Sequence, residues 1–199
     1  MRKFLLAIIN MLFIVDAYAQ TDALKLPIIN GQVLYTGVVQ TPNVTAKTLH
    51  KNSQLWIATT FKKAEIITDS QKKGIITIKA NTYVPYLIDI PNPVAGYNVE
   101  FKILLQLKDN KYKFAITNFY LSTVPNGTYA FPAVTMDLER MIKTMESNKQ
   151  LKHNMKMQAI VTKSFASTVV TLNKLHFQML ALVNQLNYNI LKANANFYR

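Results

Sequence analysis

The stretch Val99–Leu121, VEFKILLQLKDNKYKFAITNFYL, is the most legible part of the chain, and the rest is placed around it. Val99, Phe101, Ile103, Leu105 and Leu107 alternate with Glu100, Lys102, Gln106 and Lys108, so an extended backbone sends the two sets to opposite sides. The pattern pauses at Asp109-Asn110 and resumes with Tyr112, Phe114 and Ile116. Both turn residues tolerate the positive φ that a two-residue hairpin turn needs. Such a hairpin pairs Leu107 with Tyr112, Leu105 with Phe114 and Ile103 with Ile116, all on one face. A slip of one residue would set apolar groups against Lys113 and Thr117, so turn chemistry and hydrophobic pattern agree. The other face carries Lys102, Leu104, Gln106, Lys113, Ala115 and Thr117. Being mixed in character, these six residues form a candidate interaction surface.

Before the hairpin, Gln32–Gln40 (QVLYTGVVQ) reads as a strand, ended by Thr41-Pro42-Asn43. Ala46, Leu49, Ser53, Trp56 and Thr60 then recur at steps of three and four, which predicts a helix with Thr45 or Asn43 as N-cap and Phe61 closing it. Trp56, the single tryptophan, sits at core spacing and is expected beneath the sheet. A short strand at Glu65–Thr68 follows, then a polar turn ending at Gly74. A long strand over Ile75–Leu87 comes next, with Pro85 implying an edge position or bulge near its end, and Pro91-Asn92-Pro93 turns the chain back.

Tyr35-Thr36 and Val38-Val39 in the first strand, Leu55-Trp56 with Phe61, and Gly74-Ile75-Ile76 form a pattern. Lys108-Asp109-Asn110-Lys111-Tyr112-Lys113, followed by Ile116-Thr117-Asn118-Phe119, completes it. Over Tyr35–Leu121 the chain resembles the domain of unknown function 4468 family with a TBP-like fold, found in exported proteins of Bacteroidetes. Asn110 stands where that family usually has glycine. The resemblance implies an α+β fold in which strand, helix, four strands and helix build a curved antiparallel sheet with helices on one face. The family has no established catalytic residues, so none are carried over.

Ser122–Thr135 reads as a loop, and the aromatics Tyr129 and Phe131 near Phe119 and Tyr120 are candidates for a binding lip, though covering the end of a core is the commoner role. Met136–Ser147 reads as a helix with Asp137 and Glu139 near its positive end, and Asn148-Lys149-Gln150 as a break. A longer helical tract spans about Asn154–Lys192. Val161, Phe165, Thr168, Leu172, Leu175, Met179, Leu182 and Leu186 follow four-three spacing over more than three heptads. At 1.5 Å per residue such a helix is about 57 Å long, against about 33 Å for a ten-residue strand. It must overhang its sheet, break, or meet a partner. The stripe can lie across the mixed face of Leu104, Ala115 and Phe119, or use Leu172, Leu175, Met179, Leu182 and Leu186 to reach a protein partner or a second copy. The expected organisation is a TBP-like domain over residues 21–147 and a helical C-terminal arm over 148–199.

The chain opens with Arg2-Lys3, an apolar run from Phe4 to Val15, and Ala17-Tyr18-Ala19 ahead of Gln20, which reads as a secretory signal peptide cleaved after Ala19. The run is too short to span a bilayer, and the Lys, His, Asn and Gln residues that interrupt the C-terminal tract argue against a later transmembrane segment. The expected address is periplasmic or secreted. There is no cysteine, so neither disulfides nor lipid attachment through cysteine is available. The formal charge of +13 favours acidic partners in general, but the lysines are scattered, and an exported chain is not expected to bind specific nucleic acid.

His50, His153 and His176 fall at no metal-ligand spacing, no G-x-S-x-G elbow surrounds a serine, and the five glycines make no phosphate loop. No metal or cofactor is expected. Taken together these residues point to a non-enzymatic binding or protein-interaction module of the cell envelope. The alternative is a small periplasmic hydrolase or ligand-processing protein whose polar groups converge from separate strands, which would require an enclosed pocket.

Overall fold

The computed structural model describes residues 23–86, 94–125, 134–149 and 155–195. The expected leader, the Pro91–Pro93 turn, the aromatics Tyr129 and Phe131, and Gln150 of the expected break lie outside them. A small hairpin of β1 (Ile28–Ile29) and β2 (Gln32–Val33) precedes β3 (Tyr35–Gln40), α1 (Ala46–Thr60), β4 (Glu65–Ser70) and β5 (Ile75–Pro85). There follow β6 (Val94–Lys108), β7 (Lys111–Pro125), β8 (Thr135–Asp137), α2 (Leu138–Lys149) and α3 (Met155–Ala195). The main sheet is antiparallel in the order β3-β7-β6-β5-β4, and β8 pairs with β7 beyond the end of β3.

The single strand expected over Gln32–Gln40 is interrupted at Leu34, whose N–H donates to the Pro27 carbonyl at 3.0 Å. Its first two residues belong instead to the β1-β2 hairpin. Asn30 and Gly31 form that turn at φ 52° and 75°, the double left-handed geometry that Asn-Gly favours.

The central hairpin has the expected register, with Leu107 opposite Tyr112, Leu105 opposite Phe114 and Ile103 opposite Ile116. At its turn only Asn110 is left-handed, at φ 65°. Asp109 reaches instead to α1, where its Oδ1 accepts from the Ala46 N–H at 2.7 Å, while Asn110 Oδ1 accepts from the Asn43 N–H at 2.8 Å. The hairpin turn thus satisfies donors at a helix N-terminus that would otherwise lack partners. Thr45 completes the cap by accepting from the Thr48 N–H at 3.2 Å.

Phe119 departs from the mixed face expected of it. Between Glu100 and Lys102 the β6-β7 register shifts, Asn118 turns left-handed at φ 56°, and two β7 residues oppose Phe101. The buried positions of β7 therefore change from Tyr112, Phe114 and Ile116 to Phe119 and Leu121. Val99 and Phe101 keep apolar partners because the bulge carries β7 over by one residue.

The three helices of the described residues all contribute to one core on a single face of the sheet. Leu49, Trp56 and Ile57 of α1 join Leu138 and Ile142 of α2 and Leu172, Leu175, Met179, Leu186 and Ile190 of α3, against Ile76, Ile78, Phe101, Ile103, Leu105 and Tyr112. The stripe, expected to cross the mixed face of the sheet or to meet a partner, packs instead from Leu172 to Leu186 against the opposite face. β6 and β7 run 15 residues each, about 50 Å at strand rise, whereas α1, at 15 residues, is only about 22 Å long. One such helix leaves much of the face bare, and α3 lies beside α1 to cover it. Asn52 donates to the Ile190 carbonyl at 3.2 Å, and the Tyr112 hydroxyl donates to Asn187 Oδ1 at 2.6 Å. The N-terminal segment then straps α3 from outside, with the Lys25 N–H donating to Asn173 Oδ1 at 2.8 Å and Asn173 Nδ2 to the Ala23 carbonyl at 3.1 Å.

Candidate functional site

Because the helices share one face, the opposite face of the sheet is open among the described residues. Three successive rungs of the β6-β7 ladder bring the six sheet candidates together: Gln106 opposite Lys113, Leu104 opposite Ala115, and Lys102 opposite Thr117. β5 extends the rungs with Ile75, Thr77 and Lys79, and β3 adds Val38 opposite Lys113. Sequence reasoning did not include these four, although the alternation Ile75, Thr77, Lys79 within β5 carries the signal. Gln106 and Lys113 are exposed, Leu104 and Ala115 half-buried, and Val38 is 59 % exposed. Lys79 Nζ lies 3.0 Å from Glu100 Oε2, and the hydrogen bond and charge of Glu100 raise the ammonium above its ordinary pKa. Lys102 and Lys113 are the neighbouring cations. The patch is a basic, part-apolar surface.

The five candidates on α3 are not part of such a surface. Leu172, Leu175, Met179 and Leu186 are buried in the protein's own core, and Leu182 is partly buried against it. In this fold their side chains are occupied by the sheet and α1, and that half of the expected interaction surface is corrected accordingly.

A cleft of about 330 Å³ opens at the sheet edge between the end of β3 and the start of β8, where Thr117–Phe119 of β7 has neither strand beside it. Gly31–Val33 of the small hairpin, Thr117–Tyr120, Asp137, Glu139 and Lys143 line it. Its two carboxylates have structural tasks. Asp137 Oδ1 caps α2 by accepting from the Arg140 N–H at 2.6 Å, and Glu139 Oε1 accepts from the Val33 N–H at 2.9 Å. Glu139 thereby ties α2 to the small hairpin.

His50 Nε2 lies 2.7 Å from Asp69 Oδ1, and Gln54 Nε2 donates to Asp69 Oδ2 at 2.7 Å. This pairing fastens α1 to the edge strand β4, and no serine or second carboxylate joins it in the contacts of the described residues. His176 meets Tyr35, and His153 lies outside the described residues. Among the described residues no three His, Cys, Asp or Glu side chains are grouped to hold a metal, and no helix is long and apolar enough to cross a membrane.

Residues 35–122 match the family model described as a domain of unknown function (DUF4468) with TBP-like fold. The match begins with β3 and ends within β7, so it contains the hairpin motif, the open-face patch and α1 but neither α2 nor α3. The similarity of fold extends further. A TBP-like protein from Parabacteroides distasonis aligns with a TM-score of 0.55 at 13% identity, covering 81% of this chain and 96% of that one. A DUF4468 family protein from Bacteroides ovatus aligns with a TM-score of 0.52 at 13% identity, covering 79% and 89%. Coverage that wide reaches well beyond the 88 residues of the DUF4468 match. Comparison with the curated proteins gives no match. The chain thus has the α+β, TBP-like architecture, with the three helices of the described residues on one face of the antiparallel sheet.

Proposed function

We propose that this protein is an exported, non-enzymatic interaction module of the bacterial cell envelope, and that its open sheet face docks a protein partner. The observation that carries the reading is the contiguous patch of Lys102, Leu104, Gln106, Lys113, Ala115 and Thr117, on three adjacent rungs with no helix of the described residues over them. A rigid, two-sided sheet with its helices on one side presents such a patch without a change of shape. The leader-like Met1–Ala19 segment supports export. The engaged carboxylates of the edge cleft favour binding over hydrolysis, since Asp137 and Glu139 each serve a backbone N–H.

Photo-cross-linking in cells tests the reading. A photoreactive residue at Leu104 is expected to give one discrete adduct in the envelope fraction, weakened by Lys102→Glu, whereas the same residue at Lys72 on the β4-β5 turn gives none. Equal labelling from both positions, or none from Leu104, would reject the open face as the docking surface. Mass spectrometry of the recovered protein is expected to find Gln20 as first residue. An intact Met1–Ala19 segment would reject export by cleavage.

A further inference from the structure

The outward side of α3 has an apolar stripe of its own. Val170, Phe177, Leu180, Tyr188 and Leu191 are each at least 40 % exposed. At about 100° per residue they fall within about 80° of one another, on the side away from buried Leu172, Leu175, Met179 and Leu186. Asn173 falls in the same arc and is buried where the Ala23–Lys25 strap crosses it, between Phe177 and Leu180 on the helix surface. Lys174 stands beside this stripe. Lys174 is flanked in sequence by Lys156, Lys163 and Lys192, at separations of 18, 11 and 18 residues, all close to whole numbers of helical turns. Lys25 adds a cation at the stripe itself, its Nζ 5.3 Å from the centre of the Phe177 ring. From Met155 to Ala195 there is no Asp or Glu.

We infer that the outer face of α3 is a peripheral docking surface for an anionic lipid bilayer, with the helix lying in the plane of the interface. The charge pattern selects this occupant. A helix with an exposed aromatic and aliphatic stripe flanked by lysines suits the boundary between anionic headgroups and acyl chains, where apolar burial and electrostatic attraction act together. Tyrosine is favoured at that depth because its ring is apolar and its hydroxyl wet. A second copy fits less well: its α3 would bring lysines to lysines with no carboxylate on either helix to pair them. The opposite stripe of α3 is locked into the core, so the helix need not unfold to dock. The surface is separate from the open sheet face and does not depend on it.

The test uses protein beginning at Gln20, so that the apolar leader cannot contribute, with phosphatidylcholine vesicles with or without about one-third phosphatidylglycerol. Co-sedimentation should show partitioning at least ~10-fold stronger on the anionic vesicles at low salt, lost at about 0.5 M salt as the charges are screened. Leu180→Glu and Lys174→Glu should each weaken it by ~5-fold or more, and Lys113→Glu on the open face should leave it within ~2-fold. Circular dichroism melts confirm that each variant is folded. Equal binding to neutral and anionic vesicles, or full binding by Leu180→Glu, overturns the proposal. So does light scattering that finds a lipid-free dimer dissociated by Leu180→Glu, which would assign the face to a second copy.

Discussion

His176 Nδ1 on α3 lies 3.1 Å from the Tyr35 hydroxyl on β3, joining the first strand of the main sheet to the last helix across 141 residues of sequence. Burial raises the Tyr35 pKa, and desolvation, helped by the charge of Lys25, lowers that of His176. The pair is therefore a neutral phenol hydrogen-bonded to a neutral imidazole, the ring tautomer setting which of the two donates. Where the helix crosses the sheet, charge on the ring is disfavoured.

A pH dependence follows, with a definite sign. The native imidazole titrates below its unfolded value of about 6.5, so as pH falls the unfolded chain takes up the proton first. This contribution to stability is complete above about pH 6.5 and declines as pH drops from there toward the native pKa. Urea melts at a series of pH values through that window should show a decline that His176→Gln reduces. His50 is common to both proteins, so identical pH slopes would mean that His176 is not responsible.

Phe114 packs over Gly37 on the neighbouring strand, and a Cβ added at Gly37 would come within 2.8 Å of the ring. Phe114→Ala should cost about 3–5 kcal/mol, and Lys113→Ala on the exposed face less than about 0.5 kcal/mol. Gly37→Ala alone should cost about 1–3 kcal/mol through overpacking, and distinctly less in a Phe114→Ala background, where the ring is gone. Denaturant melts giving strictly additive costs would argue against the contact.

Asp109→Ala removes the acceptor that the hairpin turn gives to the Ala46 N–H. The expected cost is about 0.5–2 kcal/mol, the range for losing a helix N-terminal acceptor. Amide exchange at Ala46 should accelerate relative to amides in the middle of α1. Unchanged protection there would show that water replaces the carboxylate without loss.

Removing the chain after Lys149 should abolish the cooperative melt, because Leu172, Leu175, Met179 and Leu186 leave a bared sheet and a half-covered α1. Circular dichroism and light scattering on the truncated protein supply the check. A truncated monomer that unfolds cooperatively at near-original stability would show that α3 is not needed to complete the core.

Two departures from the sequence reading arise from single asparagines. Asn30-Gly31 is a strong local hairpin signal, but the strands on either side are two residues each, too short for periodicity to reveal. Asn118 lies inside an otherwise regular run, and nothing local announces that it turns left-handed. Its effect shows only when the buried set is followed from Ile116 to Phe119 against the unbroken odd-numbered set of β6.

By itself the sequence determined the hairpin register, the face assignments up to Ile116, the span and cap of α1, and the long helix near the C-terminus. Each depends on contacts between residues close along the chain or on the period of a single element, and those are written in the order of side chains. Which face α3 covers was decided only by the tertiary structure. Its apolar stripe suits either side of the sheet equally well as a pattern. The choice came from the width of face left bare beside α1 and from polar pins such as Tyr35 to His176 and Tyr112 to Asn187, whose partners are 141 and 75 residues apart. That placement leaves Lys102, Leu104 and their neighbours uncovered, because a helix committed to one side of a sheet cannot shield the other.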